Sequence, residues 1–370
     1  MALLLDGIRI LSLAEQYPGP YATLLLADLG ADVILIERPG VGDPARQFSA
    51  FHAALNRNKR SVALDLKTDA GRRDLLDLVE DADVLIEGFR PGTLERLGFG
   101  YGTLSARNPR LIYASISGFG QSGPYRDRPA HDLSYQATAG LLHRSAETGR
   151  LDQPTDIAIG DLSSGMFAAI GVLAALHERS RTNKGRYIDV SMTDGLVSWM
   201  SVMAGPLVNG AALADIDAEP AYGLFHAGDG KPLSLSIAHE DWFWRPLCDL
   251  LGMQDCAGLD RAARTARRSE LRERIAGALA RDTREAWGTK FDAAGIPWGP
   301  VNSIEEVTAD PHFKARGMFA DIAGEGGTLR YVAQPLVFDG KRPGARRGVP
   351  AVGRHTEEIL TPYRARRARE

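Results

Sequence analysis

The feature that most constrains the fold is a regular alternation of short apolar runs with segments whose apolar residues recur at helical spacing. Segments such as "PYATLLLADLG" and "DAGRRDLLDLVED" have the helical pattern. Such alternation is typical of βαβ units around a parallel sheet, so the first half is predicted to be a Rossmann-like α/β domain. The apolar runs predicted to be strands are "IRILSLA" (8–14), "ADVILIER" (31–38), "SVALDL" (61–66), "ADVLIEGF" (82–89) and "RLIYASISGF" (110–119).

A second, smaller α+β domain is predicted within the second half. It opens with "YGLFHAGDGKPLSLSIA", in which two apolar runs meet at Gly228-Asp229-Gly230, residues that suit a tight hairpin turn. Helical patterns follow at 241–252, 266–281 and 283–294, and strand-like pieces resume from 317. We therefore predict a large domain at 1–204, a linker at 205–222, a small domain at 223–316 and a segment at 317–370 that returns to the large domain.

Composition narrows the class of protein. The chain has 370 residues, 44% hydrophobic and 25% charged, as in ordinary globular proteins, and its net charge of −3 does not indicate a nucleic-acid binder. Cys248 and Cys256 fit neither a disulfide framework nor a metal-ligand spacing, which suggests a reducing compartment. The longest apolar run, 165–176, is short for a membrane span. These observations predict a cytoplasmic protein without a membrane or nucleic-acid partner.

The sequence lacks the glycine-rich motif typical of nicotinamide-binding domains. No G-x-G-x-x-G follows the first predicted strand, so a nicotinamide cofactor has no support.

His131 stands in "RPAHDLSYQATAG", where a loop rich in Gly and Pro gives way to a helical pattern. One interpretation is structural, with His131 on the surface and Asp132 capping the helix. In the other, the positive end of the helix dipole faces the imidazole and favours its neutral form, which accepts a proton. Spacing alone favours the structural interpretation.

Two further acids lie where a strand-like run turns into a helix. Asp161 in "IAIGDLSSGMF" is predicted either to cap its helix through the N–H groups of Ser163 or Ser164, or to act as a base or nucleophile. Glu240, beside Trp242, is predicted either to stabilise a helix dipole or to orient an imidazole as the third member of a triad does.

Basic residues cluster after several predicted strands, where open α/β sheets bind ligands. They are suited to a pyrophosphate or a 3′-phosphate, although a solvated surface is the ordinary role of such runs. They are Arg38, Arg57, Lys59, Arg60, Arg90 and Arg96.

Nearly the whole chain resembles the class III CoA-transferase family, also called CaiB/BaiF. The resemblance rests on long motifs in order, among them "GIRILSLAEQYPGPYATLLLADLGADVILIERPG", "NRNKRSVALDLKTDAGR", "ADVLIEGFRPGTLERLGFGY" and "GDLSSGMFAAIGVLAALHER". It implies a Rossmann-like large domain built from both chain ends, a small inserted domain, and two ring-shaped subunits interlocked as a homodimer.

The resemblance also implies an acyl-CoA substrate and a CoA site. Phosphate or adenine contacts are implied for Arg38, Lys59, Arg90 and Arg96, with Leu64 and Phe89 packing nearby. No metal and no cofactor beyond CoA is implied.

Two reactions occur in this family, and both use the aspartate that matches Asp161. In transferases it passes through a mixed anhydride and an enzyme–CoA thioester; in α-methylacyl-CoA racemases it shares 1,1-proton transfer with a histidine. Racemases have "GHD" where this chain has Ala130-His131-Asp132, and they place the histidine's acidic partner where Glu240 stands. We therefore predict a racemase that transfers protons between His131 and Asp161 through an enolate, which the Asp132 N–H stabilises. CoA transfer through Asp161 is the alternative, and a non-catalytic acyl-CoA binding protein is a weaker one.

Overall fold

The computed structural model describes residues 3–142, 157–212, 218–324 and 327–369. The chain divides into two compact units. Unit 1 comprises Met1–Gly205 and Ala315–Glu370, and unit 2 comprises Pro206–Lys314. Each unit has its own buried core, so each is described by itself.

Unit 1 is built on a six-stranded parallel sheet. Its strands are β1 (Arg9–Ser12), β2 (Asp32–Glu37), β3 (Lys59–Ala63), β4 (Val84–Glu87), β5 (Ile112–Ser117) and β6 (Tyr187–Ser191). The helices up to β6 are α1 (Pro18–Asp28), α2 (Ser49–Leu55), α3 (Asp69–Glu80), α4 (Thr93–Arg96), α5 (Tyr101–Arg107), α6 (Asp132–Thr138) and α7 (Ile159–Thr182). Helices α8 (Met192–Trp199) and α9 (Ser201–Val208) follow β6.

The strand order is β3-β2-β1-β4-β5-β6. Leu11 of β1 pairs in register with Ile34 on one side and with Leu85 on the other. The order reverses direction between β1 and β4, which is the switch point at which doubly wound sheets bind ligands. The loops that leave the carboxyl ends of these two strands meet there, since the Leu13 N–H donates to the Ile86 carbonyl at 2.8 Å.

Successive residues of each strand face opposite sides of the sheet, as the pleat requires. In β1, Ile10 belongs to the core on one face and Leu11 to the core on the other. In β4, Ile86 and Leu85 alternate in the same way. Both faces are thus covered, which explains why these strands read as nearly continuous apolar runs.

Helix α7 covers one face of the sheet. Its buried side chains, which include Ala168, Val172 and Ala175, pack in the core with Ile116 and Val190. The helix is longer than the apolar run seen in the sequence, and by length and composition it meets the requirements of a membrane span, although less than half of its most apolar stretch is buried. Core helices meet the same requirements, and α7 has the contacts of a core helix in unit 1.

The chain end returns to unit 1. Strands β10 (Phe319–Gly324) and β11 (Gly327–Val332) form an antiparallel pair, and α16 (Thr356–Arg367) packs beside β3. The Ala63 N–H donates to Thr356 Oγ1 at 2.9 Å, and Leu360 is buried in the core that contains Val62. The C-terminal helix therefore closes the β3 side of the sheet.

Unit 2 is an α+β unit with a three-stranded antiparallel sheet in the order β7-β8-β9. Its strands are β7 (Tyr222–His226), β8 (Pro232–Ser236) and β9 (Trp298–Pro300). Its helices are α10 (Asp241–Leu251), α11 (Arg261–Ala266), α12 (Arg268–Leu279), α13 (Arg284–Ala294) and α14 (Ile304–Ala309), with α15 (Pro311–Ala315) at the boundary. Cys248 and Cys256 are free and buried in its core.

The predicted linker differs from the structure at its start. Helix α9 continues through Val208, so the first residues of the range 205–222 are helical. The small residues and Pro206 of this segment do not predict a helix, since Pro disfavours helix interiors. Residues 213–217 of the predicted linker lie outside the described part of the chain.

Candidate active site

Asp161 lies in the first turn of α7, at the third helical residue. The structure corrects the prediction that it caps this helix. The residue before the helix is Ala158, and the Ser164 hydroxyl donates to the backbone carbonyl of Asp161 rather than to its carboxylate. Within the described part of the chain, no hydrogen-bond donor reaches the Asp161 carboxylate. This partly buried carboxylate is therefore free to react.

Asp132 supplies the cap that Asp161 does not. Its Oδ1 accepts the backbone N–H groups of Gly160 at 2.7 Å and of Asp161 at 3.1 Å. These N–H groups have no acceptor within the first turn of their own helix, so a carboxylate from α6 satisfies them. Asp132 is itself the first residue of α6, not its N-cap as predicted, and its other oxygen contacts Gln136. The N-termini of α6 and α7 are thereby tied together.

The pKa of the Asp161 carboxyl is raised to about 7. Burial is the larger cause, because it disfavours the charged form, and the nearby negative charge of Asp132 adds to it. A carboxylate with such a pKa is more basic than an exposed one, yet a large fraction of it is ionised at neutral pH. Both a nucleophile and a proton acceptor need this combination.

His131 occupies the N-cap position of α6 in an extended backbone conformation. Its backbone carbonyl accepts the N–H groups of Ser134 and Tyr135, and its exposed side chain makes no capping bond. His131 directly precedes Asp132, so it lies at the end of α6 that is tied to α7. Its imidazole therefore takes no part in capping the helix.

Two tyrosines lie near enough to Asp161 for its negative charge to raise their pKa values. Burial, and then the charges of Asp161 and Asp132, raise the pKa of Tyr135 to about 12. The Tyr135 hydroxyl donates to the Ala130 carbonyl at 2.8 Å, which holds the loop before α6. Tyr17 also has its pKa raised, first by burial and then by Asp161. Tyr17 is not among the residues predicted from the sequence, because "AEQYPGP" matches no short catalytic motif.

The predicted basic cluster separates into two groups. Arg57 forms a buried pair with Asp28 at 2.5 Å, and Arg60 pairs with Asp32. Lys59 is buried, and its Nζ donates to the Pro20 carbonyl, Thr23 Oγ1 and Asn56 Oδ1 at 2.8–2.9 Å. Burial also lowers the pKa of Lys59. These three side chains are internal structural groups, and Lys59 in this position is not available to a phosphate.

The exposed basic residues form the second group. The Arg38 guanidinium is largely exposed and lies 3.5 Å from Glu15. Arg90 is exposed in the loop after β4, and Arg96 is exposed at the end of α4, where it contacts Thr93 at 3.0 Å. Of the two apolar residues assigned to CoA, Phe89 is partly buried, whereas Leu64 is buried in the core on the α3 side of the sheet.

A cleft of about 280 Å³ opens beside Arg90. Its floor includes the Glu87 carboxyl, whose Oε2 accepts the Phe89 N–H at 2.9 Å and whose pKa is raised by burial. Aromatic rings and guanidinium groups line its walls, a combination that suits a nucleotide. The wall residues are Arg90, Tyr101, Tyr113, Arg126 and Tyr187.

Glu240 belongs to unit 2, where it occupies the N-cap position of α10. Its Oε2 accepts the Ala238 N–H at 2.9 Å, and this backbone hydrogen bond is the main cause that lowers its pKa. The structure thus gives Glu240 a local role in the turn between β8 and α10. Among the described residues, no cluster of three or more His, Cys, Asp or Glu side chains suits a metal ion.

Comparison with known proteins gives a consistent result. A family-wide sequence profile described as "CoA-transferase family III" matches residues 5–356. The chain is 35% identical to an acyl-CoA transferase of Fusarium pseudograminearum, over 96% of this chain and 84% of that protein. It is also 35% identical to the acetyl-CoA:oxalate CoA-transferase of Acetobacter aceti, over 92% of each. A CaiB/BaiF family protein from Brucella suis has a similar structure, with a TM-score of 0.86 and 32% identity over 98% of this chain and all of that one.

Proposed function

Because the chain belongs to CoA-transferase family III, we propose that it moves CoA from an acyl-CoA to a free carboxylic acid, with Asp161 carrying the covalent intermediates. The observation that carries this proposal is the Asp161 carboxylate itself. It is partly buried, receives no hydrogen bond within the described part of the chain, and has a pKa of about 7.

The reaction proceeds by exchange of bonds at two carbonyl groups. The Asp161 carboxylate attacks the thioester carbonyl; a C–O bond forms, the C–S bond breaks, and the CoA thiolate leaves with the electron pair. The thiolate then attacks the Asp161 carbonyl of the resulting anhydride, which forms an aspartyl-CoA thioester and releases the first carboxylate. The acceptor carboxylate repeats both steps in reverse, so a new acyl-CoA forms and Asp161 is restored without net proton uptake.

The surroundings of Asp161 favour the covalent intermediates. Ionised Asp161 is destabilised by burial and by the charge of Asp132, whereas the anhydride and the thioester are neutral. Attack on the substrate therefore relieves this unfavourable interaction. Asp132 meanwhile accepts the backbone N–H groups of Gly160 and Asp161, which holds the turn that carries the nucleophile in place.

The nucleotide end of CoA is assigned to the exposed basic residues Arg38, Arg90 and Arg96, with Phe89 packing against it. Guanidinium groups bind phosphates through paired hydrogen bonds. Lys59 and Leu64 are left out of this assignment because both are buried within unit 1. The interlocked homodimer and the cytoplasmic location remain predictions from the resemblance and the composition.

Racemisation of a 2-methylacyl-CoA is the second candidate. The observation in its favour is the position of His131 at the end of α6 that Asp132 ties to Asp161. The relatives favour transfer, since they are named for CoA transfer to or from oxalate, mesaconate and glutarate. These three acids are therefore the first acceptors to test.

The experiment that tests the proposal measures two reactions in deuterated water. The protein is incubated with acetyl-CoA, succinyl-CoA and a 2-methylacyl-CoA, each with oxalate, mesaconate or glutarate. We expect new acyl-CoA products that disappear in Asp161→Asn and persist in large part in His131→Ala. Deuterium at the α-carbon without any CoA transfer, lost in His131→Ala, would establish the racemase instead. If neither reaction occurs with any of these substrates, the proposal of CoA transfer fails.

A further inference from the structure

The turn between β1 and α1 is held in an unusual backbone conformation. Gln16 has a φ of 68°, in the left-handed region that residues other than glycine rarely adopt. The Gln16 N–H donates to both oxygens of the Asp43 carboxylate, at 3.1 and 3.2 Å. Asp43 is buried, and its own N–H donates to Glu37 at 3.0 Å. These contacts fix the backbone conformation immediately before Tyr17.

Close packing of α1 against α7 brings Pro18, the residue after Tyr17, to within one turn of Asp161. Gly165 follows Asp161 by one turn of α7, and a Cβ atom there would lie 2.7 Å from the Pro18 carbonyl oxygen. The same Cβ would lie 3.0 Å from the Tyr21 ring. The absence of a side chain at Gly165 therefore lets the start of α1 approach α7 closely.

The Tyr17 hydroxyl is an unused donor at this place. Its ring packs edge-on against Phe51, with centroids 5.0 Å apart at 81°. Among the described residues, none forms a hydrogen bond with the Tyr17 hydroxyl, whereas the Tyr135 hydroxyl is bound to Ala130. Because burial and the Asp161 charge raise the pKa of Tyr17, its hydroxyl keeps its proton at neutral pH.

We propose that the Tyr17 hydroxyl donates a hydrogen bond to the acyl carbonyl oxygen on which negative charge develops when the Asp161 carboxylate attacks. This assignment rests on the proposed transferase function. No proton is transferred to the substrate: the O–H bond stays intact while the carbonyl oxygen gains and then loses charge. A donor held in place before the reaction stabilises such an oxyanion without reorganisation during it.

The test compares Tyr17→Phe with Tyr21→Phe, its matched control. Each variant loses one phenol hydroxyl, and Tyr21 lies one turn further along the same helix. We expect kcat for Tyr17→Phe to fall roughly 100- to 1,000-fold, the effect of losing one oxyanion donor. The KM for the acyl-CoA and the Tm should stay near wild-type values, because no described residue forms a hydrogen bond with this hydroxyl. Tyr21→Phe should retain its kcat.

Each outcome of this comparison supports or overturns the assignment of the Tyr17 hydroxyl as the donor. If Tyr17→Phe keeps a kcat close to that of the wild type, the hydroxyl is not the donor. If both variants lose activity equally, or if Tyr17→Phe loses Tm in step with activity, the effect is structural and the assignment is overturned. If wild-type protein transfers CoA among none of acetyl-CoA, succinyl-CoA, oxalate, mesaconate and glutarate, then the proposed function fails, and the role of Tyr17 fails with it.

Discussion

Asp132 acts on Asp161 in two distinct ways. Its Oδ1 accepts the backbone N–H of Asp161 at 3.1 Å, which fixes the first turn of α7. At the same time its negative charge raises the pKa of the Asp161 side chain. One carboxylate thus positions the nucleophile and increases its basicity. These two effects are separable, because an amide in place of the Asp132 carboxylate retains an acceptor oxygen but loses the charge.

We predict that Asp132→Asn moves the acid limb of kcat/KM to lower pH. In the wild type, activity should rise with pH around the Asp161 pKa of about 7, since the ionised carboxylate is the nucleophile. Without the charge of Asp132, ionisation of Asp161 becomes easier. The measurement is the pH profile of CoA transfer for the wild type and the variant.

The control for this profile is Asp194→Asn, which removes an exposed acid from the first turn of α8. It should leave the acid limb where it is. An acid limb that stays fixed or moves to higher pH in Asp132→Asn would show that Asp132 does not raise the pKa of Asp161.

Asp161→Asn should stabilise the protein above neutral pH. The folded pKa of about 7 exceeds the ordinary value of 3.8, so stability that is present at low pH is lost as the pH rises through this window and Asp161 ionises. An asparagine does not ionise. The free energy of unfolding of the variant relative to wild type should therefore grow by about 1 to 4 kcal/mol between roughly pH 4 and pH 8. Urea denaturation at the two pH values measures this difference, and a constant difference would contradict it.

Much of the fold follows from local sequence patterns. The alternation of apolar runs predicts the first five strands and their parallel sheet. The turn residues of "AGDGK" likewise predict the hairpin between β7 and β8. These features depend on residues close together in the chain, which is why pattern and turn chemistry suffice. The family motifs likewise direct attention to Asp161 and Asp132 before their contacts are known.

The rest depends on contacts between distant parts of the chain. Nothing local to Asp161 shows that its helix is capped by Asp132 from another helix, 28 or 29 residues away. The run "NRNKR" likewise does not show that Lys59 points inward to Thr23 and Asn56. A basic residue in an exposed run and one at the start of a buried strand look the same in sequence.

Substitutions of Lys59 and of Arg96 should distinguish a residue that stabilises the fold from a residue that binds CoA. Lys59→Met leaves three buried acceptors without their donor, so the free energy of unfolding should fall by about 1 to 3 kcal/mol. Its KM for acyl-CoA should change little. Arg96→Met should show the reverse, with wild-type stability and a raised KM. A higher KM in Lys59→Met at unchanged stability would contradict the internal role of Lys59. Denaturant titration and steady-state kinetics give both values.

Gly165→Ala tests the close approach of α1 to α7. The added methyl group meets the Pro18 carbonyl oxygen at 2.7 Å, and a backbone atom cannot move aside alone. We expect a loss of about 1 to 3 kcal/mol in the free energy of unfolding. We also expect a lower kcat, because Tyr17 moves relative to Asp161. Gly277→Ala is the control: this helical glycine faces open space, so alanine should leave activity unchanged and raise stability slightly. Equal behaviour of the two variants would contradict the packing argument.

The most direct test of covalent transfer through Asp161 follows an oxygen atom. The acceptor acid is labelled with oxygen-18 in both carboxyl oxygens, and the protein is digested after turnover. When the thiolate takes the acceptor's acyl group from the anhydride, one labelled oxygen stays on Asp161. Mass spectrometry of the peptide that contains Asp161 should therefore show oxygen-18 on that side chain. It should show no oxygen-18 there when the acyl-CoA donor is omitted. CoA transfer with an unlabelled Asp161 would contradict the proposed mechanism.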